Sequence, residues 1–166
     1  MPSDFIEQTA PHDRDARAEH FMRMAIEEAR LALAEGEFPV GAVLVRGNDV
    51  IARARNARER MSDPTAHAEV LALRAAAEQC GDWRLNGCEL FVTLEPCPMC
   101  AGAILNARID RVWYGAYDSE RGCCGSVYRL TEDPAFNAFV HATGGVLAGE
   151  CEGVIEEFLR GKRKRG

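Results

Sequence analysis

The chain has 166 residues, 47% apolar and 28% charged, with a formal net charge of −6. That is length for a single domain, and the apolar content excludes disorder for most of the chain. No run approaches the roughly 20 apolar residues that span a bilayer, and Met1-Pro2-Ser3-Asp4 opens neither a signal peptide nor a basic transit peptide.

From Asp15 to Glu35, Met22, Ala25, Ile26, Ala29, Ala32 and Leu33 recur at helical spacing, and Gly36 ends the run. Val40 to Val45 reads as a buried strand, Arg46-Gly47-Asn48-Asp49 as a turn, and Val50 to Asn56 as the returning strand of a hairpin. Asp63-Pro64-Thr65 predicts a helix start, with the helix continuing to about Gln79. Cys88 to Leu94 is a third strand, closed by Pro96, and Pro98 opens a helix over Met99 to Ala107. Val112 to Tyr117 is a fourth strand. Asp118 to Gly145 is rich in Gly, Cys and polar residues and shows no clear period, and Glu150 to Arg160 is a final helix. Strands alternating with helices after a hairpin predict a three-layer α/β domain with a mixed sheet. There are no repeats and no linker. The expected organisation is an N-terminal extension (1–19), one domain (20–160) and a basic C-terminal tail (161–166).

The negative net charge argues against a protein that coats nucleic acid, but the charge is unevenly spread. Residues 46–60 carry arginines at 46, 53, 55, 58 and 60 against Asp49 and Glu59. The end, Arg160-Gly161-Lys162-Arg163-Lys164-Arg165, has no acid. Such stretches are either solvated faces or phosphate contacts. Seven cysteines, an odd number without a secretion signal, read as reduced thiols, so the expected compartment is the cytoplasm.

Two segments carry chemistry: Thr65-Ala66-His67-Ala68-Glu69 and Glu95-Pro96-Cys97-Pro98-Met99-Cys100. Two cysteines three apart at a helix start can face one point, where unpaired N–H groups and the helix dipole favour thiolate. His67 adds a neutral nitrogen. One imidazole and two thiolates with an open fourth position make a catalytic-type zinc site, expected at one Zn2+ per chain. Glu69 stands beside the metal rather than on it, placed to take a proton from the water the metal activates. Alone, Cys97-x-x-Cys100 also fits a redox pair or half of a structural zinc site, His67 a helix cap, and Glu69 a solvated acid. The combination of the two segments selects the catalytic reading. Cys80, Cys88, Cys123, Cys124 and Cys151 show no second ligand spacing and are expected to be packing residues.

His67-Ala-Glu69 followed by Pro96-Cys97-Pro-Met-Cys100 resembles the zinc-dependent nucleobase deaminases, over about residues 20–160, and within them the bacterial tRNA-specific adenosine deaminases. Further matching stretches are Pro39 to Val45, Asp63 to Glu69, Val92 to Cys97, and Gly115-Ala-Tyr-Asp118 with Gly122 and Gly125-Ser126. The resemblance implies an α/β/α cytidine-deaminase-like fold with about five strands. It implies hydrolysis of the wobble adenosine of a tRNA anticodon to inosine by a homodimer, with the anticodon stem-loop as partner. By position it makes His67, Cys97 and Cys100 zinc ligands and Glu69 the proton shuttle. It also makes Asn56 a contact to the target base and Asp118 a loop residue near the nucleotide. Read without it, Asn56 could simply end a strand in a turn, and Asp118 could form an Asx turn into Ser119 to Gly122. For an RNA substrate, the arginines of 46–60 and the basic tail would hold phosphates. Cys123-Cys124 departs from the small apolar residues usual in that loop. A free guanine or cytosine deaminase can share the same motifs and is the second reading. A non-catalytic, zinc-stabilised RNA-binding adaptor is the third.

Overall fold

The computed structural model describes residues 11–166; residues 1–10, part of the expected N-terminal extension, lie outside the described residues. Helix α1 (Pro11–Ala34) begins ahead of the predicted Asp15. Its residues Ala18, Phe21, Met22, Ala25, Ile26 and Ala29 repeat at three- and four-residue intervals, and all are buried. Strands β1 (Gly41–Arg46) and β2 (Asp49–Arg55) form the expected hairpin, turned by Gly47 at φ +63°. A four-residue helix α2 (Arg58–Met61) and helix α3 (Ala68–Cys80) follow. Then come β3 (Cys88–Leu94), α4 (Pro98–Ala107), β4 (Arg111–Ala116), a single 3-10 turn (Leu130–Glu132), β5 (His141–Thr143) and α5 (Ala148–Arg163).

The sheet order is β2-β1-β3-β4-β5, with β1 antiparallel to β2 and β3, and β3, β4 and β5 parallel. Alternation along the strands divides the core in two. Ala42, Leu44, Leu90, Val92, Val112 and Tyr114 face α3 and α4. Val43, Val45, Phe91 and Trp113 face α1 and α5. The result is the expected three-layer α/β/α fold with a mixed five-stranded sheet. Two glycines let helices come close to it. A Cβ on Gly41 would strike the Ala25 carbonyl and Ala29 nitrogen of α1, and one on Gly115 would strike Cys151 of α5.

Two expectations are corrected, and the segment without a clear period is filled. Asp63-Pro64-Thr65 does not start α3: Asp63 Oδ1 accepts the Thr65 N–H (2.8 Å) and hydroxyl (2.7 Å), closing an Asx turn, and the helix begins only at Ala68. The final helix is longer than Glu150 to Arg160, because Gly161 continues it and Lys164 N–H bonds back to the Arg160 carbonyl. The segment 118–145 holds the fifth strand, three residues long, joined to β4 without a crossover helix. Among the described residues no helix is long and apolar enough to cross a membrane.

Candidate active site

The parallel strands β3 and β4 end side by side at Leu94 and Ala116. The same end of the sheet holds the start of β1 and the end of β2, where Asn56 N–H bonds to the Val40 carbonyl. Crevices at the carboxyl ends of parallel strands are where such sheets bind ligands. Here a cleft of about 220 Å³ is lined by Phe38, Asn56, Arg58, His67, Glu69, Glu95, Cys97, Asp118 and Arg121, among others.

His67 caps α3 in an extended conformation (φ −75°, ψ 150°), and Cys97 caps α4 in a similar one (φ −75°, ψ 175°), with Pro98 opening that helix. Both helices therefore point their N-terminal N–H groups toward one spot. Cys100, in the first turn of α4, completes the group: His67 Nδ1 lies 3.6 Å from Cys97 Sγ and 3.5 Å from Cys100 Sγ. With Zn–S near 2.3 Å and Zn–N near 2.0–2.1 Å, a tetrahedral ion needs N···S edges of about 3.6 Å. The donor set fits that ion in type and spacing. Among the described residues it is the one group of His, Cys, Asp and Glu side chains suited to a metal. The Cys97 thiol is drawn down to about 3, first by the hydrogen bond from Cys100 and then by His67, while Cys100 is pushed up by the same sharing and by burial.

Glu69 is the second residue of α3 and 4% exposed. Its Oε2 lies 3.4 Å from Cys100 Sγ, beside the His–Cys–Cys group and at the cleft wall. Burial raises its carboxyl above the ordinary value, with the Cys97 sulfur adding to the rise against the pull of His67. His67 is also raised, first by its hydrogen bond with Cys97. A buried proton-accepting group next to a metal-suited triad is what hydrolysis at an aromatic carbon requires.

Asn56 reaches the cleft with half its amide engaged: Nδ2 donates to the Phe38 carbonyl (3.0 Å), and Oδ1 accepts the Arg58 N–H (3.3 Å). Asp118 also lines the cleft, and it forms the Asx turn, its Oδ1 accepting the Glu120 (3.0 Å) and Arg121 (3.1 Å) N–H groups.

The arginine cluster is corrected in part. Arg53 pairs with Glu27 (2.8 Å) and Glu28 (3.0 Å), and Arg55 with Glu28 (3.1 Å) and Glu35 (2.7 Å), because α1 lies across this hairpin. These guanidinia are committed to internal acids. Exposed Arg58 and Arg121 stand at the rim of the cleft instead. The basic end of α5 is tied to the same wall: Lys162 lies over the Phe158 ring (4.9 Å), which meets Phe38 edge-on at 5.4 Å. Cys124 and Cys151 are pushed up to about 12 by burial, in keeping with packing roles.

Sequence reading missed two buried acids. Glu37, 1% exposed, accepts the Glu59 (3.1 Å) and Arg60 (2.7 Å) N–H groups and so holds α2 beside the cleft. Glu95, 2% exposed, holds the segment from Asp118 to Ser126. The available signal was an acid set directly against apolar and proline residues, as in Glu37-Phe38-Pro39 and Leu94-Glu95-Pro96.

Residues 15–116 match the model of the cytidine and deoxycytidylate deaminase zinc-binding region. The chain is 46% identical over 147 residues to the tRNA-specific adenosine deaminase of Bacillus subtilis (strain 168), covering 89% of this chain and 91% of that protein. A solved structure from a study of A-to-I editing by tRNA:A34 deaminases at the wobble position superposes with a TM-score of 0.79 at 44% identity, over 81% of this chain and 98% of that one. A guanine deaminase from Bacillus subtilis superposes with a TM-score of 0.59 at 40% identity, over 61% of this chain and 66% of that one. With cleft, donor triad and buried glutamate lying inside or beside the matched segment, the chain belongs to the zinc-binding cytidine and deoxycytidylate deaminase family.

Proposed function

We propose that this protein deaminates the wobble adenosine of a tRNA anticodon to inosine, in the cytoplasm. The observation that carries the reading is the cleft. At about 220 Å³ it is smaller than the roughly 300–1,000 Å³ usual for whole-ligand sites. It suits one base, with sugar and phosphates left at a rim that carries Arg58 and Arg121. An anticodon loop presents such a base cheaply, since its bases are unpaired. The relatives named as tRNA adenosine deaminases support the substrate class.

In this reading His67, Cys97 and Cys100 hold one zinc ion, which when bound acidifies water toward neutral pKa and acts as a Lewis acid. Glu69 takes the proton of the attacking water and delivers it to the ring nitrogen beside the amine-bearing carbon. It then carries a second proton to the departing ammonia. Burial keeps bulk water from competing for these transfers. Asn56 offers the base edge its remaining N–H and oxygen lone pair, which a purine can match with its own acceptors and donors. Asp118 and Arg121 form the opposite wall. The end of α5 and the tail beyond it meet the stem backbone. A second copy of the chain covers the face where exposed Trp83 and Phe136 flank one groove beside α4, giving a homodimer.

Ammonia release measured side by side on an adenosine-containing anticodon stem-loop, free guanine and free cytosine tests the reading. The stem-loop is expected to be the fastest substrate. Faster turnover of free guanine would assign the chain to the base deaminases.

A further inference from the structure

Glu95 sits between the end of β3 and Cys97, and its carboxylate is 2% exposed. Oε1 accepts the Asp118 N–H (3.2 Å) and the Ser126 hydroxyl; Oε2 accepts the Cys124 N–H (3.1 Å) and the Ser126 N–H (3.0 Å). A buried carboxylate needs such donors. Here all of them come from one stretch of chain, residues 118–126, in which Ser119, Glu120 and Arg121 are exposed. Gly122 closes over the carboxylate so tightly that a Cβ there would strike it. One backbone bond also fastens the stretch to the same turn, from Cys123 N–H to the Pro96 carbonyl (2.8 Å), and just ahead of the stretch Glu95 N–H bonds to the Ala116 carbonyl at the end of β4 (2.9 Å). Asp118 in turn fixes Arg121 through its Asx turn. Glu95 therefore supplies the side-chain anchors, four hydrogen bonds in all, of the segment that brings Asp118 and Arg121 to the cleft.

We propose that Glu95 is a positioning residue: it sets Asp118 and Arg121 against the Cys97 turn, and so determines how tightly the target nucleoside is held. This rests on the deaminase reading above, and Glu95 acts through Asp118 and Arg121 without taking part in proton transfer.

Glu95→Gln dissects the hub. The amide oxygen can stay at the Oε2 position with its two donors, while the NH2 group faces the Asp118 N–H, so only the front anchor of the loop is lost. Zinc content is expected to remain one per chain. KM for the stem-loop is expected to rise about tenfold with kcat within about threefold of wild type, since loosening contacts that hold substrate and transition state equally raises KM without slowing the chemical step. Amide hydrogen exchange should quicken at Asp118 and stay slow at Cys124. Ser126→Ala, which removes one hydroxyl, should show a milder KM rise of about two- to threefold with normal zinc, and it decides the question if Glu95→Gln does not fold. A purely structural role predicts lower thermal stability with wild-type KM and kcat per zinc-loaded chain, and that result overturns the proposal, as does a loss confined to kcat. If the wild-type protein turns over free guanine and not RNA, the substrate reading fails. The Glu95 proposal is then judged by the same KM ratio on guanine.

Discussion

Replacing Asn56 separates its hydrogen bonds within the cleft wall from the base contact proposed for it. It is 5% exposed, and its amide joins two cleft residues, donating to the Phe38 carbonyl at 3.0 Å and accepting from the Arg58 N–H at 3.3 Å. Asn56→Ala removes two hydrogen bonds worth about 1 kcal/mol each and takes the acceptor from the Arg58 N–H, while the Phe38 carbonyl keeps the Val40 N–H, for a total of about 2–3 kcal/mol. A domain with about 5–15 kcal/mol of stability stays folded after that loss. Asn56→Asp keeps the shape and the acceptor for Arg58, but it sets an oxygen against the Phe38 carbonyl. It should therefore destabilise as much as alanine despite its near-identical size. Urea unfolding of the zinc-loaded protein measures both variants. In both, turnover and base choice should fall further than the salt dependence of RNA binding changes. An Asn56→Asp protein within about 0.5 kcal/mol of wild type would refute the assigned amide orientation, and with it the claim that a free N–H and a free lone pair face the base.

Cys97→Ser should lower zinc content well below one per chain and abolish turnover, whereas Cys151→Ser, in the α5 core, should keep both; metal analysis beside an activity assay reads the pair. Glu69→Gln should bind zinc and RNA normally and turn over at least about 10²–10⁴-fold more slowly, checked by single-turnover kinetics. Glu132 has a lowered carboxyl pKa: burial pushes it up, but the Ala142 N–H, His141 and Arg129 together outweigh that. A lowered folded-state value adds stability above the ordinary carboxylate range and loses it as pH falls through the folded value. Glu132→Gln, which keeps the Ala142 bond and drops the charge, should cost about 0.5–1 kcal/mol at pH 7 and almost nothing once the pH has fallen below the lowered folded-state value, followed by thermal melts across pH.

Most of the secondary structure was legible because burial enforces periodicity. Strands β1, β3 and β4 are continuous apolar runs covered on both faces, and α1 and α4 carry small and apolar residues at helical spacing, so each appeared within a few residues of its true limits. The donor triad was legible because its chemistry demands particular residue types at two helix starts. What escaped was structure made by side chains bonding to distant backbone. Asp63 could cap a helix or close a turn, and only the chain around it decides which. Strand β5 is three residues long, too short to show alternation, and exists by pairing with β4. Glu37 and Glu95 belong to no catalytic or metal motif, and their apolar and proline neighbours hint at burial without revealing partners that lie 22 to 31 residues away. The arginine cluster misled for the same reason, since its acids lie on α1 (Glu27, Glu28) and just after it (Glu35).

That pairing bears on how an acidic protein can take a polyanionic substrate. The net charge of −6 sets a repulsive long-range field for RNA. Arg53 and Arg55 do nothing to relieve it, because Glu27, Glu28 and Glu35 already neutralise them. In the proposed reading the attraction near the cleft is short-ranged and localised at Arg58 and Arg121 on the rim and at the acid-free end of α5 that Phe158 ties to Phe38. Only an RNA that places its phosphates at both positions while feeding a base to Glu69 collects all of it, whereas an unstructured strand meets mostly the repulsion. Few phosphate contacts also mean a shallow dependence on salt. Affinity must then come from the fit of one extruded base in the cleft. In that reading selectivity shifts from charge to the shape of the loop and to the groups that line the cleft, Asn56 and the Glu95-anchored segment among them.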